Sequence, residues 1–292
     1  MEIRVLRYFL IVAREGNITK ASQLLHITQP TLSRQLMQLE EELGVELFKR
    51  NRHNITLTEE GHLLRRRAQE IVSLADKTID GFLSKQDQIM GEISIGAGEF
   101  LSIEYLCQMM SDFHKKYPLV HYDMNSDNTE GIEEKINKGL LDFGLLTETV
   151  DISKYDYIHL PQKEIWGILC KKDSELAKKK FIELSDLNDT PLIIPKRINQ
   201  NVNIDSWFDN SLNIFEIVAT YNLLYNAAMM VKNDIGVALC LQLNTSYEDL
   251  CFIPLSPSIY AGSILVWKKN QILSSTTMTF IQFLKECQKG IS

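Results

Sequence analysis

The sequence predicts an α+α/β chain: a small winged helix-turn-helix module, one long helix, and a larger α/β region. Three observations predict it. Apolar residues repeat at helical spacing in two short segments separated by a break at His26-Ile27-Thr28. A second helical repeat runs through Leu64, Ala68, Ile71, Ala75, Thr78 and Phe82. From Glu92 onward, short strand-like runs alternate with amphipathic stretches.

The first two helices come from Ile18, Ala21, Leu24 and Leu25, then from Leu32, Leu36, Leu39 and Leu43. Thr28 is placed to N-cap the second of them, and Pro30 sits in its first turn, where a missing N–H costs nothing. Ala21 is small where the helices must cross. The turn holds no Gly, so His26 is expected to take the left-handed conformation. This is the helix-turn-helix pattern, whose second helix enters the major groove of DNA. The face opposite its leucines carries Gln29, Thr31, Ser33, Arg34 and Gln38, suited to base edges or phosphate. On that helix alone, an ordinary solvated face explains them equally well. The segment Phe48–Leu57 tips the balance, because it reads as strand, polar tip and strand, with Arg50, Arg52 and His53 placed as on a wing.

The long helix follows. Thr58 is its expected N-cap, with Glu59 and Glu60 suiting the helix dipole in the first turn. Leu64, Ala68, Ile71, Ala75, Thr78 and Phe82 form a coiled-coil-like seam. Pairing of two copies is the favoured use, since two recognition helices read two half-sites. Packing against its own domain is the alternative. Arg65-Arg66-Arg67 is read as the solvated or phosphate-facing side, and Lys85–Gln88 as a connector.

In the α/β region, strands are expected at Gly91–Ala97, Val120–Met124 and Leu141–Leu146, with helices from Ser102 to Tyr117 and from Thr129 to Lys138. This βαβαβ order implies a parallel sheet. A second α/β unit has strands at Trp166–Cys170, Leu192–Pro195, Gly236–Leu239, Cys251–Leu255 and Ser263–Trp267, and helices at Tyr221–Lys232 and Thr276–Cys287.

The chain of 292 residues is long enough for two or three domains, and its formal net charge is −7. The charge divides unevenly: residues 1–86 hold 13 Lys and Arg against 11 Asp and Glu, and the remainder holds 18 against 27. The basic surface is therefore local, and the acidic remainder disfavours indiscriminate adsorption to DNA. Cys107, Cys170, Cys240, Cys251 and Cys287 form no CxxC pair, which argues against zinc and structural disulfides. Cys170 and Cys240 read as small core residues, and a redox-sensing thiol would need exposure and a lowered pKa. With no signal peptide and no apolar run of bilayer length, a cytoplasmic location is expected.

The string LRYFLIVAREGNITKASQLLHITQPTLSRQLMQLEEELGVELFKR resembles the N-terminal module of LysR-type transcriptional regulators in order and spacing. Asn17-Ile18, Ser22, Thr28 and Leu36 are mild departures. The strings GEISIGA, NTEGIEEKINKGLLDFGLL, TPLIIPKR and YNLLYNAAMMVKNDIGVAL extend the resemblance over essentially the whole chain. The resemblance implies a DNA-binding domain over 1–58, a dimerising linker helix over 59–88 and an effector-binding domain over 89–292. The last would be two-lobed, like periplasmic binding proteins, with lobe I at about 91–161 and 267–292 and lobe II at about 162–266. Crossovers are expected near Leu160–Lys163 and Leu265–Lys268. The resemblance also implies that Gln29, Pro30, Thr31, Ser33 and Arg34 lie at the groove, with Arg50, Arg52 and His53 on the wing; Thr28 and Gln38 are counted with them as DNA-binding residues.

Effectors in such folds bind beyond the carboxyl ends of the strands. The loops there place Glu99, Phe100, Leu101, Ser102, Asn128, Thr129, Lys196, Arg197, Thr220 and Asn222 at the expected cleft. Helix N-termini at Ser102 and Thr129 would favour an anion such as a carboxylate, with Arg197 as a clamp. Ser102, Thr129 and Asn222 serve equally well as plain helix caps, and Glu99 with Phe100 is expected to narrow the cleft or change the ligand charge it favours. Expected partners are operator DNA, a small-molecule effector, RNA polymerase and further copies of the chain, as a dimer or tetramer. No membrane partner, cofactor or metal is expected. An enzyme is the main rival, but GxSxG, HExxH, P-loop and strand-following GxGxxG motifs are absent, and the six His residues are dispersed. The second rival is a solute-binding protein whose helix-turn-helix serves only protein contact.

Overall fold

The computed structural model describes residues 1–50, 55–83, 89–148, 150–196, 198, 202–208, 212–245, 247–271 and 273–289. It divides into two compact units, Met1–Gln86 and Asp87–Ser292.

The first unit runs α1 (Ile3–Glu15), α2 (Ile18–Leu24), α3 (Gln29–Leu43), β1 (Phe48–Arg50), β2 (Ile55–Leu57) and α4 (Glu59–Leu83). Asn17 caps α2 by accepting the Lys20 N–H at 3.0 Å, and Thr28 caps α3 by accepting from Thr31. His26 has φ of 53°, so a histidine does take the left-handed position of the turn. Leu6, Phe9, Val12, Ala21, Leu32, Leu36 and Leu39 are buried together between the first three helices. The two strands pair antiparallel, Phe48 opposite Leu57. At the start of α4, Thr58 Oγ1 accepts the Gly61 N–H at 2.9 Å and donates to the Glu46 carbonyl at 2.7 Å. Gly61 is required there, because a Cβ would come within 2.2 Å of the Leu47 carbonyl oxygen.

The first half of α4 belongs to this unit's core. Leu64, Ala68 and Val72 recur every four residues and pack on it, and Ala68 is fully buried. Arg7 of α1 donates two hydrogen bonds to Asp76 of α4, one at 3.1 Å and one shorter, fastening the helices together. The expected pairing seam is therefore divided. Ala68 is occupied by its own domain and Leu64 is packed against it, whereas Ile71 and Thr78 are exposed. Ala75 is half-buried, and the side chain of Phe82 lies outside the described residues. Among the described side chains of α4, the exposed apolar ones are Leu63, Ile71, Leu74 and Ile79, and three of them, Leu63, Ile71 and Leu74, share one stripe beside the buried face.

The second unit contains β3 (Gly91–Ala97), α5 (Ser102–Lys116), β4 (Val120–Ser126), α6 (Thr129–Asn137), β5 (Phe143–Thr147), β6 (Tyr155–Lys171), β7 (Leu192–Pro195), α7 (Val202–Trp207), β8 (Ile217–Tyr221), α8 (Leu224–Lys232), β9 (Val237–Leu241), β10 (Leu250–Pro254), β11 (Tyr260–Lys268) and α9 (Ser275–Lys289). Two sheets share one strand. Lobe I has the order β4-β3-β5-β11-β6, and lobe II continues through β9, β7 and β8, with β10 on the other edge of β6. β3 is parallel to β4 and β5, as the βαβαβ pattern predicts. Both faces of each sheet are covered, which is why the parallel strands are so apolar.

β6 is 17 residues long and passes from lobe to lobe. Its first part pairs with β11 up to Ile165, and its second part, from Trp166, pairs with β9 and β10. The return crossing differs from expectation. Leu265–Lys268 lies inside the lobe I sheet, where Leu265 is opposite Leu145 on β5 and Ile158 on β6. The chain leaves lobe II after β10, ahead of β11, so lobe I begins again before 267. Two further elements correct the sequence reading. Residues 217–221 form β8, so α8 starts at Leu224 rather than Tyr221. The expected strand at 166–170 is only the end of β6.

Candidate functional site

The first candidate surface is one face of α3. Burial of Leu32, Leu36 and Leu39 turns the opposite side outward, leaving Thr28, Gln29, Pro30, Thr31, Arg34 and Gln38 exposed and Ser33 half-buried. Gln29 Nε2 donates to Ser33 Oγ at 3.1 Å, one turn along, and the Thr28 and Thr31 hydroxyls are 2.8 Å apart. These weak, exposed bonds hold the side chains in order and can be exchanged for bonds to a ligand. The Arg34 guanidinium has no partner among the described residues. Sequence reasoning missed Met37, 47% exposed on the same face, which offers an apolar contact of the kind a thymine methyl takes. Its exposure is the only signal, because methionine at that spacing reads as core. Arg52 and His53, and the side chain of Arg50, lie outside the described residues.

The second is a cleft of about 380 Å³ between the lobes of the second unit. Glu99, Phe100, Asn128, Thr129, Lys196 and Asn222 line it, as expected. Leu101, Ser102 and Thr220 do not, and Arg197 lies outside the described residues. Thr220 alternates with Tyr221 on β8, and it is Tyr221 that faces the cleft. The Tyr221 hydroxyl donates to the Leu239 carbonyl at 2.8 Å, and burial pushes its pKa well above the ordinary range.

Ser102 does not offer an open anion site. The N–H groups of Leu101 and Ser102 donate to the two carboxylate oxygens of Glu164, at 2.8 and 3.1 Å, and the Ser263 hydroxyl donates to the same carboxylate at 2.7 Å. Glu164 is completely buried, so the N-terminus of α5 is already neutralised by the protein itself. Nor does Ser102 cap the helix: its hydroxyl is buried with no hydrogen-bond partner among the described residues. At α6, Asn128 caps by accepting the Gly131 N–H at 2.9 Å. At α8, the Glu99 carboxylate accepts the Leu224 N–H, and this contact spans the cleft. A second bond between the lobes runs from Asn244 Nδ2 to Glu104 at 2.8 Å. Lining residues that sequence reasoning missed include Glu133, Asp151, Lys154, Trp166 and Leu241. Trp166 and Leu241 are opposite each other across β6 and β9, a pairing visible only once the sheet is assembled.

The thiols divide by burial. Cys170 and Cys240 are buried, and desolvation raises Cys170 to about 11 and Cys240 further, whereas Cys107 is exposed. At pH 8, iodoacetamide is expected to label Cys107 promptly and Cys240 only as the domain opens, as read by peptide mass mapping. Equal labelling rates in the folded protein would contradict the packing around Cys240. Among the described residues no group of three or more His, Cys, Asp or Glu could hold a metal, and no helix is long and apolar enough to cross a membrane.

Two family models match the chain. Residues 3–62 match the bacterial regulatory helix-turn-helix protein model of the lysR family, and residues 86–288 match the LysR substrate binding domain. The helix-turn-helix-type transcriptional regulator YvbU of Bacillus subtilis is 25% identical over 291 residues, covering 98% of each chain. YwbI of the same organism is 29% identical over 299 residues, covering 98% of this chain and 96% of its own. A solved structure of full-length CbnR complexed with its target DNA superposes with a TM-score of 0.72 at 19% identity, covering 98% of this chain and 99% of that one. These relatives are transcriptional regulators, not solute-binding proteins.

Proposed function

The chain belongs to the LysR family of DNA-binding transcriptional regulators with an effector-binding domain, and we propose that α3 enters the major groove with Gln29, Thr31 and Ser33 at base edges. Arg34, with Arg50, Arg52 and His53 of the wing, then neutralises phosphate or probes the minor groove. The observation that carries this reading is the split of α3 into a buried leucine face and an exposed polar face. Gln29→Ala is expected to weaken binding to the preferred operator by about 1–3 kcal/mol and to relax preference at one base pair. The measurement is a titration of matched and single-mismatch duplexes at fixed salt. Unchanged operator affinity in folded Gln29→Ala and Ser33→Ala proteins would sink the assignment.

We further propose that two copies pair through the exposed α4 stripe of Leu63, Ile71, Leu74 and Thr78. Exposed apolar residues in one line on a long helix support this, as does the gain in reach from two recognition helices. Higher assembly to a tetramer is compatible with it. The cleft is proposed as the effector site. The Glu99 bond across it, with the Asn244–Glu104 bond elsewhere between the lobes, gives the lobes contacts that a ligand can reinforce or displace.

A further inference from the structure

We propose that the effector is a small zwitterion of the amino-acid type, held by its ammonium on Glu133 in lobe I and by its carboxylate on Lys196 and Trp166 in lobe II. This rests on the cleft being the effector site.

Among the described residues, the charged groups in the cleft wall are Glu99, Asp127, Glu133, Asp151, Lys154 and Lys196. Most have work inside the protein. Glu99 accepts the Leu224 N–H. Asp127 accepts from Lys135 at 3.0 Å and from the Asn128 N–H at 2.8 Å. Asp151 accepts the Ser153 N–H at 3.1 Å and has Lys154 at 3.7 Å. Lys154 keeps donor capacity beside Asp151 on the lobe I side, and two groups of opposite sign on opposite lobes have capacity left. Glu133 takes a single long bond, 3.2 Å, from the Tyr155 hydroxyl on Oε1. The Lys196 ammonium has no partner among the described residues. One stands on α6 of lobe I and the other follows β7 of lobe II.

An independent observation points the same way. Trp166 is 7% exposed and lines the cleft, yet its indole N–H has no acceptor among the described residues. An indole N–H can only donate, so it needs an acceptor oxygen from outside the described residues, and a ligand carboxylate in the cleft supplies one. A carboxylate on the lobe II side meets both this donor and the Lys196 charge. A carboxylate alone would leave Glu133 unmatched and facing a like charge, and an amine alone would leave Lys196 and the indole unmatched. A molecule with both charges satisfies all three groups and bridges the lobes, so it binds the closed arrangement selectively.

The test uses the full chain and three probe sets: the twenty common L-amino acids, the same molecules lacking the α-amino group, and the same molecules lacking the α-carboxylate. Thermal shift and isothermal titration are read for each, with operator footprinting alongside. At least one amino acid is expected to bind, with both of its singly charged analogues at least about tenfold weaker. Glu133→Gln should erase most of the discrimination against the deaminated analogue, and Lys196→Gln most of that against the decarboxylated one. Trp166→Phe, which keeps the ring and removes the N–H, should weaken binding about three- to tenfold. No binding by any amino acid, or equal binding by a singly charged analogue, overturns the ligand class. If a singly charged compound alters the footprint, the effector reading survives that failure. If an amino acid binds in the cleft but the footprint never changes, the failure belongs to the effector reading instead.

Discussion

Glu164→Ala is expected to destabilise the C-terminal unit by about 3–5 kcal/mol, because it strands donors in the interior of the unit. The carboxylate is fully buried and receives three donors: the Leu101 and Ser102 N–H groups and the Ser263 hydroxyl. Alanine leaves all three without an acceptor, and each buried unsatisfied donor costs about 1–3 kcal/mol, less where water enters the space. It also removes the negative charge at the N-terminus of α5. Glu164→Gln should cost less, because one oxygen still accepts while the amide nitrogen faces a donor. Urea unfolding followed by tryptophan fluorescence is the measurement. Trp166, Trp207 and Trp267 all lie in the C-terminal unit, so the signal reports that unit alone. A loss below about 1 kcal/mol for Glu164→Ala would mean that the carboxylate does not hold the helix terminus and the lobe strand together.

Ala68→Asp and Ile71→Asp, one helical turn apart on α4, are expected to fail in different ways. Ala68 is completely buried against the helix-turn-helix core, so a carboxylate there has no solvent and no room. Burial of an unpaired charge costs several kcal/mol, enough to unfold a small unit. That variant should lose helix signal and all DNA binding. Ile71 is 36% exposed, so Ile71→Asp should leave the fold intact to within about 1 kcal/mol. It should instead shift the sedimentation profile at low micromolar concentration towards the monomer and weaken binding to a two-half-site operator. A folded Ala68→Asp monomer, or an unchanged oligomer for Ile71→Asp, would rule out the division of α4 proposed here.

The contrast between these two residues shows why the seam was only half legible. Period tells which residues share a helix face but not which neighbour takes that face. Leu64, Ala68 and Ile71 satisfy a heptad pattern equally well. It is α1, with Leu6 and Phe9 buried and Arg7 reaching Asp76, that claims one side of the stripe. The cleft was legible in outline for a related reason. Loops at strand ends can be placed from the strand pattern, which located Glu99, Phe100, Asn128, Thr129, Lys196 and Asn222. Ser102 looked like an open helix terminus because its competitor, Glu164, is 62 residues away in sequence.

What the sequence by itself determined is everything that rests on neighbours within a few residues. Thr28 and Asn17 cap their helices because a side-chain oxygen reaches an N–H three residues on. His26 turns the chain left-handed where no Gly is present, and the leucine period sends the polar face of α3 outward. Tertiary structure alone decided the matters that depend on pairing between distant segments. It set the length of β6, which unites the lobes, and the early return of the chain into β11. It also gave the α5 terminus to Glu164 and left Trp166 without an acceptor in the cleft wall. The physical reason is common to all four. A strand's partner or a buried charge's donor is chosen by competition among every segment that can reach it, and that competition has no period for a sequence to display.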